Sequence, residues 1–309
     1  MDAISRQTEQ APAPPQRSGP RADLSFRILN APAVLLVLAF SVLPIAYVAY
    51  LSFQDLRLGG SAGGFAGWDN YRFVLADPSV ARAFGNTLYF ATLSVGIATL
   101  AGLGIALLLN SNLRGSGWLV LGTVLPWAIP EIVNALMWQW IYNPTYGALS
   151  GVLVSFGFLK DYAAWLSTPV SAMHALIFAY SWKLVPFVVI ILYAGLQSIP
   201  DELYESAQID GAGDWAQFRH VTLPLLAPAV AVAVLFCVVW SMRAFDIVYL
   251  LTRGGPGEGT VVLSYLVFTK AFEFGDLGAA SAVACLLAVL TFAITCIYMR
   301  VLPKGDEGR

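Results

Sequence analysis

Six long apolar runs alternate with short polar links along this chain. They cover Ile28–Phe53, Phe84–Leu109, Trp118–Tyr142, Pro169–Leu196, Leu223–Leu251 and Gly278–Leu302. Each exceeds the roughly 20 apolar residues that cross a bilayer as a helix. The first run is too long for a signal-peptide core, and no small-x-small cleavage site follows it. The pattern predicts an all-α membrane protein with six transmembrane helices in one domain over 28–302. Residues 1–27 are polar, with Pro12, Pro14 and Pro15 clustered, and read as a flexible cytoplasmic tail. Residues 303–309 read as a short cytoplasmic C-terminal tail.

An even number of spans puts both ends on one side. That side carries Arg6, Arg17, Arg21, Arg27, Arg114, Arg219, Arg300, Lys304 and Arg309, nine basic residues. The opposite loops carry six: Arg57, Arg72, Arg82, Lys160, Arg253 and Lys270. The bias orients both termini to the cytoplasm. In the second run Ala98, Gly102 and Ala106 form a stripe of small residues that lets a neighbouring helix approach closely.

Composition agrees. Hydrophobic residues make up 58% and charged residues 12%, about half the usual quarter. Mean hydropathy is +0.70. An ordinary soluble enzyme and a disordered chain are both excluded. The net charge of −2 gives nucleic acid nothing to bind. Cys237, Cys285 and Cys296 lie inside apolar runs, as buried free thiols do, with no CxxC pattern. Two histidines, His174 and His220, are too few for a His-rich metal site.

The link Ile199–Pro224 is unlike the others. Pro200, Asp201 and Glu202 suit a helix start, and Gly211 and Gly213 suit its stop. Asp214 with Gln217 has the spacing of a capping box for a second short helix. The link is acidic, with Asp201, Glu202, Glu205, Asp210 and Asp214 against Arg219. Leu203, Tyr204, Ile209, Trp215 and Phe218 supply apolar anchors. Two readings stand: a surface for a protein partner, or an amphipathic helix at the membrane interface. The acidic charge disfavours the anionic leaflet.

Within that link, Glu205-Ser206-Ala207, three residues, Gly211, nine residues, then Val221-Thr222-Leu223-Pro224 closely resembles the EAA loop of ABC importer permeases. Ser206 replaces the family's first Ala and Val221 its Ile. The flanks resemble the carbohydrate subfamily, of the maltose and glycerol-phosphate type. They include Trp182-Lys183-x-x-Pro186-Phe187, Ala194 to Pro200, Phe245-Asp246, Leu251 to Pro256, Ala271 to Phe274 and Gly278 to Ala280. The resemblance covers roughly Leu24 to Leu302.

It implies a type I importer permease fold, with the link as a cytoplasmic coupling-helix loop. It implies a second permease chain, an ABC ATPase dimer and an extracytoplasmic solute-binding protein as partners, and a sugar or polyol as substrate. ATP and Mg would sit on the partner ATPase, leaving this chain with no cofactor, no metal and no catalytic residue. Glu205, Ala207, Asp210, Gly211, Leu223 and Pro224 are the implied ATPase-coupling positions.

Ionisable residues inside spans are costly and therefore candidate sites. Glu131 and Asn134 follow Pro126-Trp127-Ala128-Ile129-Pro130, Lys183 stands beside Trp182, and Arg243 and Asp246 follow Trp240 and Ser241. Carboxylates, amides and indoles suit the hydroxyls and apolar faces of a sugar. Interhelical ion pairing is the plainer role for the four charged groups. The resemblance places the substrate path at Trp127, Glu131, Lys183, Leu184, Trp240, Ser241 and Ala244. Lys183 with Arg243 also allows a phosphorylated or acidic substrate.

The glycine-rich stretch Gly254 to Thr260 lacks the Lys that a P-loop places before its Thr, so nucleotide binding is rejected there. Energy must come from a partner. Two other classes compete: a secondary transporter driven by an ion gradient through Glu131 or Asp246, and a non-transporting membrane scaffold. The first would show paired repeats of hydropathy, and none is evident. The polar span interiors argue against the second.

Overall fold

The computed structural model describes residues 30–301, except 33, 61–62 and 112–115. Both tails, with Arg6, Arg17, Arg21, Arg27, Lys304 and Arg309, lie outside the described residues, as does Arg114. The chain divides into two units after Val48. Most of the first helix, α1 (Asn30–Leu51), belongs to the first unit and contains a π-helical stretch at Leu38–Val42.

The rest carries, with isolated bridges and irregular links between them, the helices α2 (Asp69–Ala76), α3 (Pro78–Asn110), α4 (Ser116–Ala128), α5 (Glu131–Ile141), α6 (Ala148–Ser155), α7 (Pro169–Gln197), α8 (Asp201–Ile209), α9 (Asp214–Met242), α10 (Asp246–Leu251), α11 (Leu263–Phe268) and α12 (Leu277–Val301).

Five described helices, α1, α3, α7, α9 and α12, are long and apolar enough to cross a membrane. The third apolar run does not form the single helix expected of it. Pro130 has no N–H to continue the ladder, so the run divides into α4, 13 residues, and α5, 11 residues. The fifth run is also interrupted, at 243–245, between α9 and α10.

Local chemistry sets the long helices. Asp77 caps α3 by accepting from the Ser79 N–H at 2.9 Å, and Pro78 occupies its first turn. Thr168 and Ser171 close a reciprocal capping box at the start of α7, with Pro169 in that first turn.

Helix α7 is the hub, with its most extensive packing against α3. Ala98, Gly102 and Ala106 are buried there as the small-residue stripe requires. A Cβ on Gly102 would stand 2.5 Å from Val188 Cγ1, so only glycine permits this approach. Gly195 does the same for α9, where an added Cβ would meet Leu226 and Ala229 at 2.8 Å. Phe90, Leu176, Ile177, Leu192 and Leu226 fill the core between these helices.

A second cluster joins α2, α3, α11 and α12 through Val74, Val80, Leu263, Leu266, Ala282 and Val283. It lies at the end of the bundle away from the 199–224 link, since α3 begins there and α7 ends at the link. Lys270 donates to Asp77 at 2.8 Å and Arg82 pairs with Glu258 at that same end.

Candidate functional site

Two regions carry the sequence-derived candidates. In the 199–224 link, α8 begins behind Pro200 with Asp201 and Glu202 in its first turn. It ends in a Schellman motif. Ala212 N–H donates to Ala207 O at 2.9 Å and Gly211 N–H to Gln208 O at 3.0 Å, with Gly211 at φ +82°. The expected capping box at Asp214 and Gln217 does not form. The N-cap position falls to Gly213, Asp214 is the first helical residue, and the Gln217 amide instead donates to Ala212 O at 2.8 Å.

Helix α9 then runs without a break from Asp214 through a π-helical turn at Phe218–Thr222 to Met242. Tyr204 and Thr222 hydroxyls meet at 3.0 Å, tying α8 back to α9. Glu205, Asp210, Gly211, Leu223 and Pro224 are exposed and Ala207 is half-buried. Ile209 and Trp215 are 86% and 72% exposed, which sets two large apolar side chains among carboxylates on one surface.

The second region is a cavity of about 470 Å³, in the range of small-ligand sites. It lies where two helices break. On one side α4 stops and α5 restarts at Glu131; on the other α9 stops at Met242 and α10 restarts at Asp246. Such discontinuities line midplane sites because freed backbone groups need polar company. Lys183 supplies it at the first break. Its ammonium donates to Ile129 O at 2.7 Å and to Glu131 Oε1 at 3.0 Å. Ser264 Oγ serves the second, donating to Ala244 O at 2.7 Å.

Six of the seven substrate-path positions, Trp127, Glu131, Lys183, Leu184, Trp240 and Ala244, line this one cavity. Ser241 does not. It is buried, one residue behind the wall. Of the four intramembrane charges, Glu131 and Lys183 form an interhelical pair. Arg243 and Asp246 also line the cavity and are in no ion pair among the described residues.

Two lining residues, Tyr180 and Ile247, were not singled out in the sequence, and a third, Phe245, was noted there only within the Phe245-Asp246 motif. Tyr180 lies one helical turn before Lys183 and Leu184, so α-helical periodicity would have found it. Trp240 packs edge-on against Phe187 with ring centroids 4.6 Å apart, which orients its face.

Comparison with known proteins identifies relatives. Residues 94–304 match the family model described as the binding-protein-dependent transport system inner membrane component. The trehalose/maltose transport system permease protein MalF of Thermococcus litoralis is 38% identical over 270 residues, 87% of this chain and 90% of that protein. The sulfoquinovosyl glycerol transport system permease protein SmoG of Agrobacterium fabrum is 35% identical over 280 residues, 90% of each chain. Among solved structures, a bacterial ABC transporter involved in import of the acidic polysaccharide alginate superposes with a TM-score of 0.75 at 22% identity. It covers 92% of this chain and 98% of its own, which establishes the shared fold.

Proposed function

The chain belongs to the family of binding-protein-dependent transport system inner membrane components, as a membrane-spanning permease subunit, and we propose that it forms the translocation path for a sugar or polyol. The observation that carries the substrate class is the cavity. It combines the indoles of Trp127 and Trp240 with the Glu131 carboxylate, the Tyr180 phenol and the Arg243 guanidinium. Aromatic faces take the apolar side of a pyranose and the polar groups take its hydroxyls. The names of the trehalose/maltose and sulfoquinovosyl glycerol relatives support the same class.

In this reading a second permease chain completes the path, and an extracytoplasmic binding protein delivers the sugar. An ABC ATPase dimer docks on the link, which faces the cytoplasm along with both termini. Glu205, Ala207, Asp210, Gly211, Leu223 and Pro224 are the coupling surface. The Schellman turn at Gly211 holds α8 and the start of α9 at a fixed angle, and the exposed Ile209 and Trp215 are apolar anchors for a cleft. ATP and Mg stay on the partner. Glu131 is committed to Lys183, which speaks against its serving as the proton carrier of an ion-gradient transporter.

The test is gentle purification of the tagged chain from its native membrane, with mass spectrometry of stoichiometric partners and uptake assays on energised cells. A P-loop ATPase and a second permease are expected, with uptake of radiolabelled trehalose or maltose that vanadate abolishes. A chain that emerges alone and transports under an ion gradient overturns the proposal. Within the site, Trp240→Ala is expected to lower uptake at least tenfold while the ATPase still co-purifies.

A further inference from the structure

On the side away from the link, the cavity wall continues into a seam of α5, α7 and α10. The direction follows from the helices themselves. Tyr142, just past α5, donates its hydroxyl to Ala175 O at 3.0 Å, near the Pro169 end of α7, whereas the Gln197 end of α7 leads into the link. Glu131 at the start of α5 and Asp246 and Ile247 at the start of α10 still line the cavity. Asn134 lies about one turn further along α5 and Trp138 a turn beyond that. Trp138 packs on α7, while α5 as a whole packs chiefly on α10.

Asn134 has no exposed surface. Neither its Nδ2 nor its Oδ1 has a hydrogen-bond partner among the described residues, and neither has Trp138 Nε1. The rest of the contact is aromatic, with Trp138 edge-to-face on Phe178 at 5.5 Å and on Trp182 at 5.8 Å. An unpaired buried amide bears its full desolvation penalty, and within a membrane no solvent relieves it. Leucine, of similar size, would fit the same place without that penalty. A group that is costly in one conformation of a two-state machine persists where another conformation satisfies it.

We propose that Asn134 and Trp138 are transient substrate contacts on the entry route. When that seam parts, the amide offers one donor and one acceptor to neighbouring sugar hydroxyls and the indole N–H offers a second donor. When the seam closes behind the substrate, both are sequestered as seen here. This rests on the reading of the chain as a sugar permease.

Two measurements on the assembled transporter test it. In a chain with Cys237, Cys285 and Cys296 replaced by Ala, Asn134→Cys is treated on intact cells with a membrane-impermeant methanethiosulfonate. Ala98→Cys, buried at the α3–α7 crossing, is the control. Labelling of position 134 at least tenfold faster in energised than in ATP-depleted cells is expected, with position 98 unlabelled in both. Position 134 staying as protected as position 98 throughout overturns the proposal.

In the second, Asn134→Leu is expected to leave the melting temperature of the purified complex unchanged or raised while uptake of radiolabelled trehalose or maltose falls at least tenfold. Unchanged uptake, or lost uptake with a destabilised complex, overturns the proposal. A wild-type transporter that moves neither sugar rejects those two substrates instead, and the labelling result still decides whether the seam opens.

Discussion

The ammonium of Lys183 reaches across from α7 to lie 2.7 Å from the carbonyl oxygen of Ile129, the last residue before the Pro130 break. One side chain thereby neutralises the orphan carbonyl end of α4 and pairs with Glu131 at the start of α5. A lysine in a span is thus accounted for by a defect in a neighbouring helix as well as by any ligand.

Lys183→Met keeps the aliphatic stem and removes the clamp. The lost charged hydrogen bonds are worth about 1.5–3 kcal/mol, toward the lower end because Glu131 is partly exposed. The purified complex is expected to melt several degrees lower. An unchanged melting temperature would show that the break holds without Lys183.

Gly211 sits at φ +82° with nothing within 4 Å of an added Cβ, so the penalty for any side chain there is purely one of backbone conformation. Gly211→Ala should cost about 1–2 kcal/mol in the link, and Gly211→Asn less, because Asn enters the left-handed region more readily. ATPase activity coupled to uptake is expected to rank wild type, then Asn, then Ala. Equal loss in both variants would assign the defect to bulk at a docked surface.

At the α3–α7 crossing, Gly102→Ala drives a methyl into Val188 and should destabilise by about 1–3 kcal/mol. Val188→Ala alone leaves a small void, and the double variant should recover part of the loss, giving a coupling energy above about 0.5 kcal/mol. Additive effects in a thermal-melt cycle would mean that the two residues do not bear on each other.

Asp77 and Lys270 give a pH-dependent prediction. Burial alone would push the Asp77 carboxyl up, but hydrogen bonds from Lys270 and Ser79 outweigh it and hold it below the usual carboxylate range. Its contribution to stability is therefore complete above the unfolded value near 3.9 and is lost only as pH falls through the lower folded one. Asp77→Asn keeps the cap and removes the ion pair, so the variant should melt lower at neutral pH. The gap from wild type should narrow as pH drops below about 4. A gap independent of pH would assign the loss to packing.

The apolar runs in the sequence mark all five of the long helices, because length and hydropathy decide a span whatever its neighbours do. The Glu205-to-Pro224 spacing likewise marks the helical link, and the Gly211 stop is legible because a Schellman turn needs that residue type. Asp214 and Gln217 misled because the chain caps with the backbone of Gly213, a choice that side-chain spacing does not reveal. The division at Pro130 was signalled by the two prolines but hidden by unbroken hydropathy. Trp127, Glu131, Lys183 and Trp240 meet only in three dimensions, and what joins Lys183 to Ile129 is a main-chain oxygen, which has no letter in a sequence.

Trp215 on the link and Trp240 on the cavity wall stand on one continuous helix, α9, about 37 Å apart along its axis at 1.5 Å per residue. In the proposed coupled transport, the helix serves as a lever with a load at either end. A tilt of about 5° moves one end by about 3 Å relative to the other over that length. Pro224 and Pro228, which each remove a rung of the ladder between them, and the π-helical turn at Phe218–Thr222 are its soft joints. On that reading, work done at the link would reach the cavity as the swing of a beam, with no loop in between to absorb the stroke.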